Sequence, residues 1–205
     1  MTTIDYYFFS ASPFTYLGHK AITEIAAKHG ANLNIKPSNL MAIWEVSGAV
    51  PPGKRPMVRQ KYRLLEIERC ADIRGLPINK TPKHLPVDAS LADTSIIALV
   101  EMGEDPLDYM GDVFAAVWVH EKDISEEEVL SELLTKHGFD ANAVLAKAKT
   151  DEVAAIRAKN AQDAVETNAV GVPAYVIDGE VFWGQDRVEH VDHMLSTGRE
   201  AFPID

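Results

Sequence analysis

Strand-like segments stand only at the two ends of this 205-residue chain, and residues 41 to 168 between them read as helical. Any sheet must therefore be assembled from the ends, across a long helical stretch. At the start, "TIDYYFF" (3–9) has the β-branched and aromatic composition of a buried strand. Phe14, Leu17, Ala21 and Ile25 then recur at helical spacing on one face, and Gly30 stops the helix. "LNIKP" (33–37) reads as a second strand. A parallel pair joined by a helical crossover is the economical arrangement. At the other end, "AYVIDGEVFWG" (174–184) is two short runs around Asp178-Gly179, a strong hairpin signal, and a last helix is expected over about 186–197.

The middle stretch is punctuated by helix signals. Helices are expected over 59–75, 90–103, 106–121, 125–138, 141–149 and 151–168. Ser90 with Asp93, and Ser125 with Glu128, have capping-box spacing. Pro106 suits a helix start, and the proline-rich segments 50–56 and 77–88 read as loops. Together the ends supply β-α-β and then β-β-α. The fold class expected is α/β: a thioredoxin-like fold (1–40 plus 169–205) with a large all-helical insertion (41–168).

Composition removes several functions. A net charge of −11 argues against general nucleic-acid binding, which needs a basic face. The single cysteine, Cys70, excludes a dithiol redox cycle within one chain, and its apolar helical neighbours suggest packing. No basic residue precedes Lys20, so a signal-peptide start is missing. No apolar run reaches the roughly 18 residues needed to span a bilayer. The expectation is a cytoplasmic protein with no membrane or nucleic-acid partner. No metal-ligand spacing is evident, and His190 and His193 have no apparent partners.

The strand-to-helix corner "SASPFTYLG" (10–18) carries the chemistry. Ser12 is a good N-cap residue and Pro13 a good first helical residue, so the corner can be read simply as a cap. It can also be read as a site, because free N–H groups at a helix N-terminus stabilise anions and lower thiol pKa values. A thiol supplied from outside would be activated there. "VGVPAYVIDG" (170–179) bears on this choice. Pro173 stands directly before a strand, where proline needs a reason. Either it is an ordinary trans proline, or the Val172–Pro173 bond is cis and leaves the Val172 backbone free for a peptide-like ligand.

"SPFTYLG" (12–18), "PKHLPVDASLAD" (82–93) and "GVPAYVIDGEVFWGQDR" (171–187) resemble the DsbA-like glutathione enzymes: the 2-hydroxychromene-2-carboxylate isomerases and the kappa-class glutathione transferases. The resemblance spans nearly the whole chain, and the last block leans toward the isomerases. It implies glutathione as cofactor, with Ser12 hydrogen-bonding its sulfur as the catalytic residue. It implies that Val172 pairs its backbone with the cysteinyl part beside a cis Pro173. Trp183, Gly184, Gln185 and Asp186 would line the γ-glutamyl end. A carboxylate at Asp186 suits an ammonium group, although Asp186 could equally cap the last helix. "SGAVPPGK" (47–54) is similar to the kappa loop that presents an asparagine to glutathione, but Ala49 holds that position here.

The activity implied is a glutathione-dependent cis–trans isomerisation of aromatic enone carboxylic acids, in aromatic-compound catabolism. The substrate, a small aromatic acid, needs a cation. Lys36, at the end of the second strand, is the expected one; Lys54, Arg55 and Arg59 are further candidates. Trp44, Tyr62 and His84 could wall an aromatic pocket. Two alternatives stand beside this reading: a kappa-like transferase that releases a conjugate, and a non-catalytic thioredoxin-like binding module. A homodimer is left open.

Overall fold

The computed structural model describes residues 1–203. The chain begins with β1 (Thr3–Phe8), α1 (Pro13–His29) and β2 (Asn32–Pro37). It continues through α2 (Leu40–Ser47), a 3-10 turn at Pro52–Lys54, α3 (Met57–Arg74), α4 (Ser90–Glu101) and α5 (Leu107–Trp118). Then come α6 (Glu127–Lys136), α7 (Ala141–Ala148) and α8 (Asp151–Glu166). The hairpin β3 (Ala174–Ile177) and β4 (Glu180–Trp183) follows, and a 3-10 turn (Gln185–Arg187) leads into α9 (Val188–Thr197). Residues 204–205, the end of the stretch expected to complete the thioredoxin-like part, lie outside the described residues.

The four strands form one sheet in the order β2-β1-β3-β4. β1 and β2 are parallel, with Tyr7 opposite Lys36; β1 and β3 are antiparallel, with Tyr7 opposite Ala174. The two ends of the chain therefore meet in mid-sheet, as their patterns required. Side chains alternate across the sheet. Ile4, Tyr6, Phe8, Tyr175 and Ile177 join a core shared with α1, α5 and α9. Tyr7, Ala174 and Val176 face the other way, onto Ile43 of α2 and Ala164 of α8. Helices from the middle stretch thus pack on both faces of the sheet, α5 on one and α2 with α8 on the other.

Two caps differ from expectation. Asp93 does not cap α4. It is fully buried, accepts from the Ser10 N–H (3.1 Å) and Ser10 hydroxyl (2.6 Å), and pairs with Arg157 at 2.7 Å. Asp88 accepts from the Ser90 N–H instead, at 2.9 Å. Ser125 does not open a capping box either: its N–H and hydroxyl both donate to Asp123, and α6 starts two residues later. In both cases a nearby aspartate made a tighter local turn than the serine motif offered. Helix α2 was not foreseen; Asn39 caps it, its side chain accepting from the Met41 N–H at 3.1 Å. No helix among the described residues is long and apolar enough to cross a membrane.

Candidate active site

The strand directions bring four chain segments to one end of the sheet. β2 runs parallel to β1, whereas β3 starts and β4 finishes beside the end of β1. Ser12 follows β1, Val172–Pro173 precedes β3, Lys36 lies near the end of β2, and Trp183 ends β4, with Gly184–Asp186 following it, all at this end.

Ser12 caps α1. Its backbone is extended (φ −83°, ψ 127°), and its Oγ accepts from the Thr15 N–H at 3.3 Å. The cap uses a lone pair of the hydroxyl and leaves its proton uncommitted among the described residues. Pro13 has no N–H, and the Phe14 N–H makes no hydrogen bond among the described residues. The helix end therefore presents one hydroxyl donor and one free amide. Thr15 is fully buried, and its Oγ1 has no partner.

The Val172–Pro173 bond is cis, as is Leu85–Pro86, which the sequence had not marked. The Val172 N–H and C=O make no hydrogen bond among the described residues, whereas the Pro173 carbonyl accepts from the Gly184 N–H at 2.9 Å. That bond ties the proline loop to the end of β4. Gly184 has φ +111°, a conformation open to glycine and little else, and a Cβ there would meet Asp186 Oδ1 at 2.6 Å. Trp183 is half exposed, and its indole Nε1 would sit 2.9 Å from a Cβ on Gly171. The glycine gives the ring its seat.

The remaining expected site residues divide. Asp186 is exposed and pairs with Arg187 at 2.6 Å; it does not cap α9, whose start has no side-chain cap. Gln185 is turned inward. It is buried, its side-chain oxygen accepts from Arg74 Nε (3.2 Å), its carbonyl accepts from Arg74 Nη2 (2.9 Å), and its amide donates to Cys70 Sγ (3.0 Å). The side chain locks the 3-10 turn to α3 and has no amide atom left over. Cys70 is buried, and burial, with Glu66 and Asp186 nearby, pushes its thiol pKa up. Lys36 is largely buried, 3.0 Å from Asp163 and 5.2 Å from the Tyr7 ring centroid. Its charge is already met.

The aromatic residues do not form one wall. His84 faces Asp123 at 3.4 Å, Tyr62 is exposed beneath Arg69, and Trp44 lies under the Arg55 guanidinium at 5.7 Å. A surface depression lies elsewhere, between α1 and α5, where the His19 ring is already tied to the Leu107 carbonyl. Sequence reading missed Arg63 and Asp93. Arg63 is half-buried, with its guanidinium 5.9 Å from the Phe14 ring on the first turn of α1. Its spacing from Arg55 and Arg59, four residues at each step, was the available signal.

A family model described as a DSBA-like thioredoxin domain matches residues 3–196. A 2-hydroxychromene-2-carboxylate isomerase of Sphingobium xenophagum is 24% identical over 195 residues, covering 94% of this chain and 97% of that one. Glutathione S-transferase kappa 1 of Homo sapiens is also 24% identical, covering 94% of this chain and 90% of its own. Among solved structures, a selenomethionine 2-hydroxychromene-2-carboxylate isomerase superposes with a TM-score of 0.83 at 21% identity, over 95% of both chains. With the family model covering almost its whole length, the chain belongs to the DSBA-like thioredoxin domain family.

Proposed function

We propose that this chain is a glutathione-dependent cis–trans isomerase of aromatic enone carboxylic acids, serving aromatic-compound catabolism in the cytoplasm. One observation carries the reading: a hydroxyl with an uncommitted proton and a peptide unit with no partner stand at the same end of the sheet. The isomerase relatives, at 24% identity over nearly the whole chain, support it.

The residues present suit glutathione. The Val172 N–H and C=O match the cysteinyl peptide group, and the exposed Asp186 carboxylate suits an ammonium once Arg187 yields it. Bound there, glutathione would supply a thiolate that adds to a conjugated double bond, frees rotation about it and leaves again unchanged. Ser12 holds that sulfur as an anion by donating its hydroxyl proton. The Thr15 N–H, by occupying Oγ as an acceptor, leaves that proton as the one directed outward. The end of α1 adds about 0.3–1 kcal/mol of anion stabilisation when exposed and up to about 2 kcal/mol when partly buried. One pKa unit is about 1.36 kcal/mol, so the helix alone lowers a thiol pKa by about one unit. The Ser12 hydrogen bond supplies the rest.

The kappa relative supports a second reading, conjugation with release. Ala49, standing where the kappa loop is read to carry asparagine, weighs against it. Stoichiometry separates the two. Turnover with an aromatic enone acid should leave total glutathione unchanged; loss of one glutathione per product would establish the transferase. Calorimetry that finds no glutathione binding at millimolar concentration would remove both.

A further inference from the structure

Arg55, Arg59 and Arg63 form a cationic row without counterions. Arg59 and Arg63 lie one turn apart near the start of α3, and Arg55 follows the 3-10 turn just before it. None of the three has a carboxylate within ion-pair distance among the described residues. That sets them apart from the other arginines, Arg69, Arg74, Arg157, Arg187 and Arg199, which are all paired. The row is also unfavourable locally. Like charges one turn apart repel, and cations near a helix N-terminus oppose its dipole. Burial and the neighbouring guanidinium push the pKa of both Arg55 and Arg63 below the ordinary arginine value, so each already feels the absence of an anion.

The row is placed at the candidate site. Arg63 lies over Phe14, two residues after Ser12, and Arg55 lies over Trp44 with its Nε donating to the Val50 carbonyl at 2.5 Å. Guanidinium groups within cation–π distance of aromatic rings are partly positioned before a carboxylate binds, and the guanidinium fork matches a carboxylate's two oxygens. Lys36, the cation expected from sequence, is occupied by Asp163.

We propose that Arg63, with Arg55 and Arg59 behind it, is the carboxylate subsite of this active site, binding the acid group of the aromatic substrate beside Phe14. The inference rests on the isomerase reading for its choice of substrate. Glutathione also has carboxylates, so the test must separate the two sources. Calorimetry with trans-cinnamate, its methyl ester and glutathione as separate titrants does so. A charge-assisted hydrogen-bond pair predicts that Arg63→Gln weakens cinnamate binding roughly ten- to a hundredfold, with glutathione binding unchanged. The methyl ester should bind the wild type as weakly as cinnamate binds the variant. This ester comparison needs no substitution and stands even if Arg63→Gln folds poorly. Equal affinity of acid and ester for the wild type would overturn the proposal. So would an Arg63→Gln variant that loses glutathione and keeps cinnamate, which would give the subsite to glutathione. If the wild type binds cinnamate through Arg63 but no glutathione, the subsite stands and the isomerase reading falls.

Discussion

Ser10 and Ser12 are two residues apart and treat their polar groups in opposite ways. Ser10 is fully buried, and both its N–H and its hydroxyl are bound by Asp93, which Arg157 holds from α8. Ser12, in the same loop, is also largely buried, yet its hydroxyl proton has no partner among the described residues, and it stands beside a Phe14 N–H that is likewise free there. The first arrangement is a staple between the sheet and the middle helices; the second is a set of donors kept for a ligand. The comparison teaches that rigidity and reactivity are supplied by neighbouring residues and can be varied separately. The same division recurs nearby. Gln185 is saturated by Arg74 and Cys70, whereas Trp183 and Asp186 on either side of it stay exposed.

The largest expected effect comes from breaking the staple. Removing one partner of a buried ion pair leaves an uncompensated charge, so Asp93→Ala should lose about 3–5 kcal/mol in denaturant unfolding. Its pKa is raised by burial against the pull of Arg157 and Ser10, which marks how little solvent reaches it. Pairing Asp93→Leu with Arg157→Met should recover part of that loss, because it removes the uncompensated Arg157 charge while the buried Ser10 N–H and hydroxyl stay without an acceptor. If the double variant is no better than the single one, Asp93 and Arg157 are not acting as a pair.

An effect of opposite sign is expected on the ligand side. Arg59 is exposed and its charge presses on Arg55, four residues before it, so Arg59→Gln should raise unfolding stability by about 0.2–0.5 kcal/mol. A loss of stability would mean that the arginine row has a structural partner after all, and the contrast between the two regions would weaken.

Much of this fold was legible because its signals are local. The β1–α1 corner, the Asp178-Gly179 hairpin and the helices of the middle stretch follow from periodicity and turn residues within short windows. The staple was not legible. Ser10 and Asp93 are 83 residues apart, and no local pattern distinguishes a buried Asp93 from a capping one. Lys36 was placed correctly on its strand, but Asp163, 127 residues later, decides what its charge does. Gln185 fell in the expected segment, and its inward orientation depends on Arg74, 111 residues away. Arg63 had a readable spacing with Arg55 and Arg59; what made it notable, that no carboxylate among the described residues comes within ion-pair distance, appears only once the chain is folded.

The central claim is that the Ser12 hydroxyl, beyond capping α1, holds a glutathione thiolate. The direct measurement is thiolate absorbance against pH under saturating glutathione, for wild type and Ser12→Ala. The cap itself is worth about 0.5–2 kcal/mol, so the variant should fold, with a modest loss in unfolding stability as the control. The bound thiol is expected to titrate at higher pH in Ser12→Ala than in the wild type, because the variant keeps the helix end and loses the donor. The same titration midpoint in both proteins would show that Ser12 is a cap and nothing more.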